Sequence, residues 1–173
     1  MSASRLVLIG PSGVGKTLLG TRLAMRLNRT LFDVDQDVEE RAGVDISWIF
    51  DKEGEAGFRV REHAALQRGL MLAGGVVIAT GAGIVTTPAC YQLLAAPGHR
   101  VIYLAASVAL LYRRLQRSSN RPMLGDAQGA SRRQKIEQIL AARAPLYEQL
   151  ADYRIDCDNQ SINQLLNTIT KYA

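Results

Sequence analysis

The chain has 173 residues, 47% apolar and 21% charged, with a formal net charge of +5; this describes one globular domain long enough to bury a core. No apolar run reaches the roughly 20 residues that span a bilayer, and "MSASRLVLIG" lacks the layout of a secretory signal, so the cytoplasm is the expected location. The basic residues are scattered and not interleaved with aromatics, which argues against a nucleic-acid platform and for small anionic ligands. Cys90 and Cys157 have no metal-ligand spacing, and two buried, reduced thiols are expected.

The first predicted strand, "RLVLIG", runs into "GPSGVGKT", residues 10 to 17, which fits G-x-x-x-x-G-K-S/T without deviation. A helical pattern follows in "TLLGTRLAMRLN", where Leu19, Leu23 and Leu27 share one face and Arg22, Arg26 and Arg29 fall largely on others. This is the setting a phosphate cradle needs. Glycines let the backbone curl so that its N–H groups point at phosphate oxygens, and the helix adds its positive end. Residues Gly13, Val14, Gly15, Lys16, Thr17 and Leu18 are the stretch expected to bind ATP or GTP, with Lys16 on the β- and γ-phosphates. The Thr17 hydroxyl is the expected ligand of Mg²⁺.

The second predicted strand, "TLFDVDQDVEE", ends in carboxylates. Asp33 and Asp35 are two apart, so an extended chain points both to one side, at the strand end where open α/β sheets place ligands. Phosphoryl transfer to a hydroxyl needs one carboxylate near the metal and another for the acceptor. The competing reading is an acidic helix start, which explains Asp37, Glu39 and Glu40 by itself.

"GEAGFRVREHAALQRGLMLAGG" reads as a helix with Arg59 and Glu62 on one face. The third strand, in "VVIATGAGIV", feeds a second glycine-rich turn, Gly81-Ala82-Gly83, expected to shape an acceptor pocket; a plain strand-to-helix turn is the alternative. Thr87 before Pro88, Ser107 and Ser161 mark helix starts, and "RVIYLAA" and "YRIDCD" complete five strands. Strand-helix alternation with apolar strands makes this an α/β protein, a five-stranded parallel sheet covered on both faces. The stretch 118–131, "SSNRPMLGDAQGAS", is either a surface loop or a mobile lid carrying Arg121. Arg143 lies in "AARAPLY", just before a proline expected to disturb its helix. His63 and His99 are assigned no chemistry. The residues alone describe a small nucleotide-dependent kinase with an anionic acceptor.

Together "GPSGVGKT", "FDVDQDVEER", "FDKEGEAGFRVRE", "ATGAGIV", "NRPML" and "RAPLY" resemble the shikimate kinase family, in family order from about residue 5 to 170. The resemblance implies a single-domain, three-layer P-loop fold with the phosphate-loop strand in the middle of the sheet, a lid near 118–131 and a monomer. It implies ATP and shikimate as substrates, with no nucleic-acid or membrane partner, and Mg²⁺ as cofactor. By position, Asp33 would lie near the metal through water, and Asp35 would be the base for the 3-hydroxyl. Arg59 and Arg143 would clamp the shikimate carboxylate, a planar group that suits guanidinium forks. Glu62 would orient that arginine neighbourhood. Gly81, Ala82 and Gly83 would line the acceptor pocket, and Arg121 would close onto the transferring phosphoryl group. Arg114 would pack on adenine, with Gln160 near its edge. A kinase for another hydroxy acid such as gluconate, and a nucleotide-binding regulator without turnover, are the competing readings. The family usually has three glycines where this chain has Gly81-Ala82-Gly83, so a positive φ at Ala82 would cost about 1 kcal/mol, whereas a negative one adds only a methyl.

Overall fold

The computed structural model describes residues 5–116 and 129–173. Five strands form one parallel sheet: β1 (Arg5–Ile9), β2 (Thr30–Asp33), β3 (Val76–Ala79), β4 (Arg100–Ala105) and β5 (Tyr153–Asp156). Their spatial order is β2-β3-β1-β4-β5, which puts the phosphate-loop strand at the centre. Parallel pairing demands a crossover after every strand, and the helices supply it. These are α1 (Lys16–Leu27), α2 (Val34–Ala42), α3 (Ile46–Met71), α4 (Pro88–Ala95), α5 (Val108–Leu115), α6 (Gly129–Leu150) and α7 (Ile162–Thr170).

The period of two along a strand distributes its side chains between two cores. In β1, Leu6 and Leu8 pack on α1, α5 and α7, whereas Val7 and Ile9 pack on α2, α3 and α4. In β4, Ile102 and Leu104 join the first core and Val101, Tyr103 and Ala105 the second. With both faces covered, the central strands are apolar throughout, and each fully buried Leu, Ile or Val contributes roughly 1.5–3 kcal/mol. The expected face of α1 is the one that packs: Leu19 and Leu23 are buried and Leu27 is partly so.

Several expected boundaries move. The second strand stops at Asp33, and Val34 and Asp35 already belong to α2, so the extended geometry expected for Asp33 and Asp35 does not occur. Helical pairing wins there because the Asp33 side chain caps the new helix, accepting from Asp35 N at 3.0 Å and Gln36 N at 3.2 Å. Helix α3 starts at Ile46, earlier than its sequence pattern suggests, and bends at Gly54, whose φ of 70° and ψ of −178° are non-helical. Ser107 and Ser161 cap their helices by side chain, the latter in a capping box with Gln164. Thr87 occupies the expected cap position before Pro88 but makes no side-chain bond there. Helix α6 runs on to Leu150 across Pro145. Residues 129–131, expected at the end of a lid, are its first turn, and the rest of that stretch, with Arg121, lies outside the described residues.

Candidate active site

Because all five strands are parallel, their carboxyl ends share one edge, and the loops leaving that edge build the site. After β1, the chain turns through Gly10, Gly13 and Gly15 at φ of 146°, 85° and 103°. Only glycine takes such angles freely. Space demands glycine as well: a Cβ at Gly10 would meet the Leu104 carbonyl at 2.5 Å, and one at Gly13 would meet Leu115 at 2.8 Å. Lys16 is turned into the loop, where Nζ donates to Gly10 O at 2.7 Å and Pro11 O at 2.9 Å. Arg114, on α5, reaches the outside of the same loop and donates to Val14 O at 2.7 Å. Leu18 is half-exposed in the first turn of α1.

Thr17 donates its hydroxyl proton to Asp33 Oδ2 at 2.7 Å. A hydroxyl and a carboxylate are therefore side by side at the start of α1. This pair fits Mg²⁺, which takes oxygen ligands, keeps several waters and needs few protein groups when phosphates are present. Among the described residues there is no cluster of three His, Cys, Asp or Glu that would suit an all-protein metal cage.

One cavity opens beside the phosphate loop. Pro11 and Ser12 line one side, and Asp35, Arg59, Gly81, Ala82, Gly83 and Arg143 line others, with Glu62 among the walls. Three elements converge there. Asp35 comes from the first turn of α2, Arg59 and Glu62 from the second half of α3, and Arg143 from α6. Apolar side chains missed by sequence reasoning, among them Phe50 and Phe58, complete the wall. Their signal was present as an aromatic pair eight positions apart, now 4.9 Å between ring centroids, but helix periodicity alone could not separate a pocket wall from core.

Arg59 is held on both sides. Its Nη1 donates to Glu62 Oε2 at 2.6 Å, and its Nη2 donates to Glu55 Oε1 at 2.9 Å. Arg143 differs: it is 9% exposed and has no ion-pair partner among the described residues. A buried guanidinium without a counterion is expensive.

Glu62 is 0% exposed, and burial pushes its carboxyl up to about 7 despite the opposing pull of Arg59, with the Asp35 carboxylate adding to the rise. The glycine turn exists to let these groups close in. A Cβ on Gly81 would collide with Glu62 Oε1 and would lie 2.9 Å from Asp35 Oδ1; one on Gly83 would collide with the Arg59 guanidinium. Ala82 sits between them without that conflict. Among the described residues only Asn28 and Asn159 pair a side chain with positive φ, so Ala82 carries no backbone penalty. The turn is a pocket wall, not a plain connection.

Gln160 lies in the turn between β5 and α7, where its Nε2 donates to Asp156 O at 2.6 Å. That turn is fastened to the start of α5 by Asp158, which accepts from Ser107 N at 2.8 Å. Gln160 and Arg114 thus belong to neighbouring segments, and neither lines this cavity. Tyr147, to which sequence reasoning gave no role, also reaches the cavity wall. Its hydroxyl donates to Ala82 O at 2.5 Å, and the signal for it was its place one turn after Arg143.

A family model described as shikimate kinase matches residues 12–173. A shikimate kinase of Actinobacillus succinogenes is 42% identical over 95% of this chain and 91% of its own length. One from Thioalkalivibrio sulfidiphilus is 41% identical over 98% of this chain and 86% of its own. Among solved structures, shikimate kinase from Acinetobacter baumannii in complex with shikimate is similar at a TM-score of 0.89 and 36% identity, covering 96% of this chain and 90% of that one. The enzyme from Aquifex aeolicus reaches a TM-score of 0.81 at 26% identity, covering 97% and 95%. With the phosphate loop, the paired acids and the arginine-walled cavity already in one place, this agreement over nearly the whole length establishes that the chain belongs to the shikimate kinase family.

Proposed function

We propose that the chain transfers the terminal phosphoryl group of ATP to the 3-hydroxyl of shikimate, giving ADP and shikimate 3-phosphate. The observation that carries the reading is the shared cavity: phosphate-loop residues Pro11 and Ser12 border the same space as Asp35, Arg59 and the buried Arg143. A phosphoryl donor and an anionic hydroxylic acceptor are thereby brought within one enclosure, and positioning is the larger part of such catalysis.

In this reading Arg59 and Arg143 hold the shikimate carboxylate, and Glu62 keeps Arg59 in place. Asp35 takes the proton of the 3-hydroxyl while that oxygen bonds to the γ-phosphorus and the bond to ADP breaks. Lys16 exchanges its contacts with Gly10 O and Pro11 O for phosphate oxygens. Thr17, and Asp33 through water, would hold Mg²⁺, and the ion would supply neutralisation of charge on the phosphates. Gly13, Val14, Gly15 and Leu18 supply backbone around the phosphates, while Arg114 and Gln160 sit beside adenine. A role for Arg121 on the transferring group is carried by the family resemblance alone, since that residue lies outside the described residues. In this reading the enzyme is a cytoplasmic monomer with neither nucleic acid nor membrane as partner. Among the described residues no helix is long and apolar enough to cross a bilayer.

A coupled ADP-release assay across shikimate, gluconate and nucleoside monophosphates tests this. Shikimate-dependent ADP release is expected, with the other acceptors near background. Folded protein that releases ADP only with gluconate, or with no acceptor, would end the proposal.

A further inference from the structure

Gly81 to Ile84 form a β-turn, closed by Ile84 N donating to Gly81 O at 3.4 Å. Gly83, its third residue, has φ of −88° and ψ of −1°. Those angles identify a type I turn. Type II differs from type I chiefly by a flip of the central peptide, here the one joining Ala82 to Gly83, and it requires positive φ at the third position. Gly83 has no side chain to forbid that flip. Something else has to choose between the two turns.

The carbonyls of this turn are all taken. Gly81 O is bonded by Ile84, and Gly83 O accepts from Thr86 N at 3.0 Å and Thr86 Oγ1 at 2.7 Å. Ala82 O belongs to the central peptide, and it accepts from Tyr147 Oη. By contrast, the N–H groups of Gly81, Ala82 and Gly83 have no partner among the described residues. The turn therefore carries unpaired donors, and no free acceptors, beside the cavity it lines.

Tyr147 is built to hold one position. It is fully buried, and its ring stacks on Tyr103 of β4 at 5.0 Å and 26°. It lies on α6 one turn after Arg143. Burial holds the phenol above its ordinary range, with Arg143 and Arg59 opposing and Tyr103 assisting, so it stays protonated and donates. A flipped peptide would leave this hydroxyl without its acceptor in a dry site, a cost that keeps the turn in its type I form.

We propose that Tyr147 is a positioning residue for the acceptor: by holding the Ala82 carbonyl out of the cavity, it keeps the 82–83 peptide turned so that its N–H faces the bound shikimate. The inference rests on the shikimate reading above. It also explains why alanine is accepted at 82, since the second position of either turn type has negative φ, while glycine is needed at 81 and 83 for space.

The test is Tyr147→Phe, which removes one oxygen and keeps the ring stack. Shikimate KM is expected to rise about tenfold, with the KM for ATP changed by less than about twofold. A role in folding alone would lower thermal stability and the active fraction while leaving shikimate KM where it was, and that result overturns the proposal. If the variant does not fold, ¹⁵N-labelled wild-type protein decides. Saturating shikimate should shift the Ala82 and Gly83 amide resonances, and unmoved amides overturn the assignment. A wild-type chain that neither binds nor phosphorylates shikimate would defeat the substrate reading itself, whereas normal wild-type turnover with an unchanged KM in Tyr147→Phe defeats only the role of Tyr147.

Discussion

Arg143 shows most directly how this site sets function against stability. It is buried and charged, and among the described residues it makes no ion pair, although the Glu62 carboxylate lies close enough to feel its charge. A buried charge that makes no ion pair carries an uncompensated desolvation cost, which an apolar side chain of similar size removes. Arg143→Met should therefore melt at or above the wild-type temperature while shikimate KM rises roughly ten- to a hundredfold, the loss of one or two charge-assisted bonds. Thermal melts with steady-state kinetics check both halves; a less stable variant with normal KM would contradict the assignment. Asp35→Asn keeps the shape and removes the proton acceptor, so kcat should fall about 10²- to 10⁴-fold with ATP binding intact. Pre-steady-state phosphoryl transfer and a nucleotide titration separate those effects. Glu62 makes a pH prediction. Its ordinary value of 4.5 is raised to about 7 by burial. Between those values the unfolded chain has released the proton and the native one retains it, so this residue makes stability fall as pH rises across that window. Urea melts from about pH 5 to about pH 8 should show a smaller drop in Glu62→Gln than in wild type.

At the scale of elements, the decisive features are two short interruptions. Gly54 bends α3 so that its first half brings Ile46 and Phe50 to the cavity and its second half brings Arg59 and Glu62. Its φ of 70° with ψ near 180° belongs to glycine alone. Gly54→Ala should cost about 1–3 kcal/mol and weaken shikimate binding, since the two halves can no longer keep their angle. Denaturation and a binding titration check it; a fully stable variant with normal affinity would show that the bend is incidental. The second interruption is Asp33, which ends β2, caps α2 and bonds Thr17 at once. Period-two spacing made Asp33 and Asp35 a matched pair on a strand, and that geometry was wrong. The acids meet one region because a helix starts between them, and the competing helix-start pattern was legible in the run of Asp and Glu that follows. Capping by Ser107 and Ser161 was readable because a cap depends on neighbours three residues away. The bend at Gly54 was not, since an isolated glycine in a helical pattern is ordinarily tolerated.

For the whole molecule, the sheet divides the protein into two separate cores, and this settles the fate of the cysteines. Cys90 lies in one core and Cys157 in the other, both buried and both free. Burial pushes the Cys90 thiol up to about 12 and the Cys157 thiol to about 11, so neither is a thiolate near neutrality. A thiol-titrating reagent should find almost no reactive thiol in the native protein and two after denaturation, with no cross-link under mild oxidation. Rapid labelling of the native chain would show that one core opens readily. Most of what identifies this protein was determined by the sequence alone: the phosphate loop, the alternation of strands and helices, and the acids and arginines that serve the site. Those features follow from local sterics, backbone hydrogen bonding and side-chain period, which act between near neighbours. Tertiary structure alone decided that Asp35, Arg59 and Arg143 border one cavity, that Ala82 escapes positive φ, and that Tyr147 holds the turn between them. Such contacts join segments far apart in the chain, and their geometry depends on how the helices pack across the parallel sheet, which no short-range pattern encodes.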